Sequence, residues 1–121
     1  MKDNKCLFCK IIEGSEPSEK VWENDLFLAI KNKYPKAPTH VLVMPKEHVK
    51  KKSVSEGNGV GDGKKGVFWG KMMPAVFEVV HKLGLFDGGY KLVNNGAGYN
   101  HFEHEHIHVL GGSKGEPAGQ T

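Results

Sequence analysis

Only one stretch of this chain keeps the apolar period of a helix over several turns. Phe68, Met72, Ala75, Val76, Val79 and Leu83 recur at helical spacing while Lys71, Glu78 and Lys82 face away, which predicts a helix over residues 67–83. Pro74 falls inside that pattern and should kink the helix or split off its first turn, and Gly84 is a suitable stop. The remaining apolar runs read as strands: Val21–Glu23, Leu26–Ile30, His40–Met44, Tyr90–Asn94 and Phe102–Leu110. Residues 6–13 form a short helix or turn. One long helix among about five strands implies an α+β domain built on a mainly antiparallel sheet.

The 121 residues suffice for one domain spanning 1–121 and not for two ordinary ones. Residues 31–39, KNKYPKAPT, carry two prolines and cannot lie inside a sheet. Residues 53–66 are rich in glycine and polar residues, without periodicity. They lack the G-K-[ST] of a phosphate-binding loop, so 50–66 reads as a flexible insertion. Residues 113–121 read as a frayed or surface tail.

Apolar residues make up 38% and charged residues 26%, a mix that suits a compact soluble domain. No apolar run approaches the roughly 20 residues that span a bilayer. The N-terminus has no apolar core followed by a small-residue cleavage site, which points to the cytoplasm and to no membrane partner. All 17 basic residues are lysine. Arginine is the usual bidentate reader of guanine and phosphate, so sequence-specific nucleic-acid binding is not expected. Lys50, Lys51 and Lys52 read as a solvated turn, and His81 as a surface histidine without a role.

Four of the seven histidines fall within residues 101–108. In the alternating segment HEHIHVL, strand geometry puts His104, His106 and His108 on one face and Glu105, Ile107 and Val109 on the other. Such a row can bind metal, although neighbours on one face stand about 6–7 Å apart, so the outer pair needs help from another element. It can act on phosphate, because neutral imidazole is nucleophilic near pH 7. It can also be the polar face of an edge strand. Spacing alone leaves metal and catalysis open.

The segment His104-Glu105-His106-Ile107-His108-Val109-Leu110 resembles the signature of the histidine-triad (HIT) family. CLFCKIIEGSEPSEKVWEND is similar to that family's N-terminal block, APTHVLVMPKEH to its central block and YKLVNNG to its approach to the triad. The resemblance implies a nucleotide-binding α+β domain, usually a homodimer, that acts on the α-phosphate of nucleoside phosphoramidates or related anhydrides. Carried over by motif, His106 is the nucleophile, His108 contacts the phosphate and His40 sits beside the triad with His104. Asn94 matches an asparagine near the phosphate, and Leu7, Phe8 and Ile11 match the apolar wall against the base.

Imidazole attack splits one displacement at phosphorus into two through a covalent nucleotidyl adduct, and no metal is required for that chemistry. The attacking ring must present a bare nitrogen, so its other nitrogen should donate to a carbonyl or carboxylate. This chain departs from the family pattern in three places. Glu105 stands where an apolar residue is usual, which a partly solvated face would tolerate. Asn32 replaces the acidic residue that many members offer the ribose. Asn100 and His101 replace Gln-Ser before the triad, near the leaving group.

Cys6 and Cys9 have zinc-knuckle spacing but supply only half a site. A branch of the family that resembles this N-terminus completes it with two histidines, here His48 and His104, which implies a structural zinc and would take His104 away from phosphate. Two small buried thiols are the plainer alternative. The leading reading is thus a hydrolase or transferase of nucleoside monophosphate derivatives. A non-catalytic nucleotide sensor and a zinc-stabilised interaction protein are its rivals. Phe68, Trp69, Met73 and Phe77 span more of the helix than one core stripe requires, which suggests a helix-mediated homodimer. The absence of arginine suggests a compact leaving group rather than a dinucleoside polyphosphate.

Overall fold

A computed structural model describes residues 5–52, 67–97 and 102–112. The insertion over 53–66, the tail over 113–121, and Asn100 and His101 lie outside the described residues. The elements run α1 (Leu7–Glu13), β1 (Lys20–Glu23), β2 (Phe27–Lys31), β3 (Thr39–Pro45), α2 (Val67–Lys82), β4 (Tyr90–Val93) and β5 (Ile107–Gly111). The five strands form one antiparallel sheet in the order β1-β2-β3-β5-β4. The α+β architecture expected from the sequence is therefore the one observed.

Both faces of this sheet are covered, so its central strands are buried at consecutive positions, 27–30 and 40–45, instead of alternating. Phe27, Ala29, Val41, Val43, Ile107 and Val109 pack against Phe68, Met72, Ala75, Val76, Val79 and Val80 of α2. On the opposite face Leu28, Ile30, Leu42 and Met44 pack with Phe8 and with the half-buried Cys6, Ile11 and Ile12 of the α1 region. The histidines share this second face, because His40, His106 and His108 alternate with the residues that face α2.

Local chemistry sets the element ends. Asn24 Oδ1 accepts from the N–H groups of Leu26 (2.9 Å) and Phe27 (2.7 Å), turning the chain between β1 and β2. Gly84 adopts φ +71° after α2, where Leu85 N–H donates to the Val80 carbonyl, the left-handed stop expected there.

Of the two outcomes expected at Pro74, the split does not occur: α2 runs unbroken from Val67 to Lys82. Gly70, whose carbonyl loses its helical donor to the proline, is exposed, so water can satisfy it. The last strand begins at Ile107 and not at Phe102. The preceding main chain leaves the sheet to pair with residues 49–51: Lys51 N–H donates to the Glu103 carbonyl (2.8 Å) and Glu105 N–H to the Val49 carbonyl (2.7 Å), around an isolated Lys50–His104 bridge.

Candidate active site

Antiparallel register sets Leu42 opposite His108 and His40 opposite Leu110, so His40 and His108 are diagonal neighbours on one face. Their rings meet directly, His40 Nε2 lying 2.9 Å from His108 Nδ1. The proton in that contact can be assigned from chemistry. Lys36 N–H donates to His40 Nδ1 (3.0 Å), so Nδ1 carries no proton and Nε2 must. His40 therefore donates to His108 Nδ1, which leaves His108 with its proton on Nε2, available to an acceptor.

Burial, followed by the nearby Lys36 charge, holds the His40 pKa below the usual histidine value, in keeping with a ring that has no place for a second proton. Asn32 Nδ2 lies 3.2 Å from His40 Nε2, whose proton is already committed, while its Oδ1 accepts from Tyr34 N–H (2.8 Å).

His106 is fixed by the same logic. Its Nδ1 lies 2.9 Å from the His104 carbonyl, which can only accept, so Nδ1 carries the proton and Nε2 is bare. An imidazole must be in this tautomer to offer Nε2 as an electron-pair donor. The ring is buried, stands edge-on to Phe8 (centroids 5.1 Å apart) and lies 5.2 Å from the His108 ring. Phe8 also contacts Phe102 (4.8 Å) and His104 (5.6 Å). Leu7 and Ile11 are half-buried on α1 beside it.

His104 faces elsewhere. Its Nε2 donates to the Pro45 carbonyl (2.8 Å), so its Nδ1 is a lone pair lying 3.3 Å from Cys6 Sγ and 3.6 Å from Cys9 Sγ. His48 Nδ1 is 3.3 Å from Cys9 Sγ, and the four ligand atoms all lie within 4.8 Å of one another. Tetrahedral zinc with ordinary bond lengths sets sulfur–nitrogen separations of about 3.5 Å, so the donor set fits a zinc ion. Cys6 Sγ also accepts from Cys9 N–H (3.4 Å) at the start of α1. Burial pushes the Cys6 thiol pKa up, whereas a metal ion stabilises the thiolate.

Glu105 corrects the expectation of a partly solvated face: it is 1% exposed. Its Oε1 accepts from His106 N–H (2.8 Å) and Asn94 Nδ2 (2.9 Å), and Lys51 Nζ lies 3.2 Å from Oε2. Asn94 Nδ2 also donates to the His106 carbonyl (3.0 Å). Lys51 corrects the reading of residues 50–52 as a solvated turn, since its side chain is largely withdrawn from solvent beside Glu105, and nothing local in the sequence distinguishes it from its neighbours.

The HIT domain family matches residues 13–115, and the chain belongs to that family. It is 39% identical over 111 residues to an uncharacterized HIT-like protein of Helicobacter pylori, covering 89% of this chain and 97% of that protein. Among solved structures it is similar to a histidine triad protein from Clostridium difficile, with a TM-score of 0.79, 32% identity, and coverage of 94% and 96% of the two chains. A HIT family hydrolase from Legionella pneumophila Philadelphia 1 is similar too, with a TM-score of 0.76, 33% identity, and coverage of 90% and 94%. Among the described residues, no helix is long and apolar enough to cross a membrane.

The buried His104 makes folding pH-dependent. Desolvation lowers its pKa from 6.5 to about 4, against the opposing pull of the Pro45 carbonyl. The unfolded chain then takes up the proton first as pH falls. Stability is full above about 6.5 and declines toward pH 4, by on the order of 3 kcal/mol from this residue. Urea unfolding with a chelator present should show that decline, and His104→Gln should make it shallower, with His40, whose pKa burial also lowers, contributing to what remains. A parent curve that is level between pH 6.5 and 4 would contradict the geometry.

Proposed function

We propose that this protein hydrolyses or transfers nucleoside monophosphate groups, with His106 as the attacking residue. The observation that carries the reading is the pair of opposite tautomers: His106 offers a bare Nε2 beside a His108 that offers an Nε2 proton. The HIT family hydrolases among the structural relatives support the coarser assignment to a hydrolase.

In this reading His106 Nε2 attacks the α-phosphorus, the bond from phosphorus to the leaving group breaks, and that group departs with a proton taken from solvent water. His108 donates to a phosphoryl oxygen as charge builds there, and His40 keeps its tautomer correct. Water then attacks phosphorus and breaks the phosphorus–nitrogen bond, releasing the nucleoside monophosphate and restoring His106. Phe8, Leu7 and Ile11 form the apolar wall against the base. Asn32 stands near the ribose with its carbonyl oxygen already bonded to Tyr34.

Adenosine or guanosine phosphoramidates, with compact amine leaving groups, should be cleaved with higher kcat/KM than diadenosine tetraphosphate. His106→Ala should lower phosphoramidate turnover by at least about a thousandfold while nucleotide binding by calorimetry largely survives. Turnover within tenfold of the parent would remove His106 from this role.

Cys6, Cys9, His48 and His104 would hold zinc as a structural cross-link between α1, the segment after β3 and the lead into β5. Bound there, zinc supplies thiolate stabilisation and folding free energy. Purified protein should carry about one zinc per chain, and Cys9→Ser should lower both metal content and Tm. Protein that is metal-free yet equally stable would leave the cysteines as core thiols.

The protein is further proposed to act as a homodimer in the cytoplasm. Of the four helix residues suggested for the interface, Phe68 is core, while Trp69 and Met73 pack partly against it; Phe77 alone is exposed, at 39%. It adjoins Tyr90 (38%) and, through it, Phe86 (49%), an aromatic patch running from α2 to the edge strand β4. Sedimentation at micromolar concentration should give a dimer, and Phe77→Lys with Tyr90→Lys a folded monomer. A monomeric parent would refute the assembly.

A further inference from the structure

Glu105, Lys51 and Asn94 do something that the histidines alone leave undone. His106 lies one residue outside β5, and the ladder pairs only from Ile107 onward. Its peptide N–H and C=O therefore stand beyond the ladder, in a buried place where polar groups need partners. Two side chains take over: Glu105 Oε1 accepts from the N–H at 2.8 Å and Asn94 Nδ2 donates to the carbonyl at 3.0 Å. The same two side chains bond to each other at 2.9 Å.

A neutral apolar residue at position 105 could accept neither donor. A carboxylate can accept both, but taking it out of water needs a compensating cation. Lys51 supplies it, with Nζ 3.2 Å from Oε2, an oxygen that makes no hydrogen bond of good geometry and is otherwise sealed from solvent. The ammonium also donates to Asn94 Oδ1 and lies 5.4 Å from the centre of the Trp69 ring. Lys51 is kept in reach because its own N–H is bonded to the Glu103 carbonyl.

We propose that Lys51 and Glu105 are positioning residues for His106, clamping its main chain together with Asn94 so that the imidazole is held in place where the sheet no longer holds it. The proposal rests on the reading of His106 as the group that attacks phosphorus. Neither residue touches the reacting atoms; both act through the His106 backbone.

The test uses paired variants that remove both charges together, so that no buried ion is left alone. Lys51→Met with Glu105→Gln keeps a neutral oxygen that can accept from His106 and Asn94. Lys51→Met with Glu105→Leu fills the space and accepts nothing. With Tm close to the parent's, the leucine pair should lower phosphoramidate kcat about tenfold or more with KM within about twofold, because a small misplacement of the attacking group acts on the chemical step. The glutamine pair should recover most of that loss. Hydrogen exchange of the His106 amide, read by NMR, should be fast in the leucine pair and protected in the parent and the glutamine pair. Glu105→Met serves the same comparison if leucine unfolds the chain.

A leucine or methionine pair whose kcat stays within threefold of the parent, or whose His106 amide stays protected, would overturn the proposal. A parent that turns over no nucleotide would instead sink the functional reading, and the exchange measurement would still decide whether the clamp exists.

Discussion

The pairing of β3 with β5 puts Val41 opposite Val109 and Leu42 opposite His108, and most of the molecule depends on that register. Side chains on a strand alternate faces, so a slip of one residue would send His106 and His108 into the packed face beneath α2 and bring Ile107 and Val109 out beside α1. The long helix prevents the slip. Met72, Val76, Val79 and Val80 are fully buried against the valines of β3 and β5, and exchanging those valines for imidazoles would leave ring nitrogens unpaired in an apolar layer. The helix packing therefore aims the histidines, although it touches none of the chemistry.

With the register set, single-purpose backbone groups choose every tautomer. A carbonyl only accepts and a peptide N–H only donates. The His104 carbonyl requires a proton on His106 Nδ1, the Pro45 carbonyl requires one on His104 Nε2, and the Lys36 N–H forbids one on His40 Nδ1. The last constraint passes through His40 to His108. The resulting pattern gives one bare nitrogen and one protonated nitrogen on adjacent rings.

Much of this was legible in the residues. The period of 67–83 and the short apolar runs imply the helix and the sheet, and HVLVM and IHVL fall where strands form. The alternation of HEHIHVL was a poorer guide upstream of Ile107, because residues 103–105 bond to 49–51, a partner more than fifty residues away that no local pattern announces. For the same reason His104 could not be assigned to metal or phosphate from spacing. Only the Pro45 carbonyl behind it and the two thiols in front settle which way its nitrogens face. Lys51 was hidden in KKK, where one lysine is buried against Glu105 while Lys50 and Lys52 are exposed.

Residues 48–51 consequently join two halves of the site that look separate. From this segment His48 reaches Cys9 on the side of the thiols, and Lys51 reaches Glu105 and Asn94 on the other. Opposite them, His104 and Glu105 are consecutive and point apart, the former to the sulfurs and the latter to the lysine. The carbonyl of His104 and the carboxylate of Glu105 both bond to His106. A shift in the 48–51 segment would thus move both supports of the His106 ring and backbone in concert. The segment is itself tied to the core, because Val49 is buried in the cluster that α2 forms with the sheet and Lys51 lies over the Trp69 ring of α2. The supports of His106 are accordingly linked to the helix packing through Val49, as well as to the ladder through Ile107.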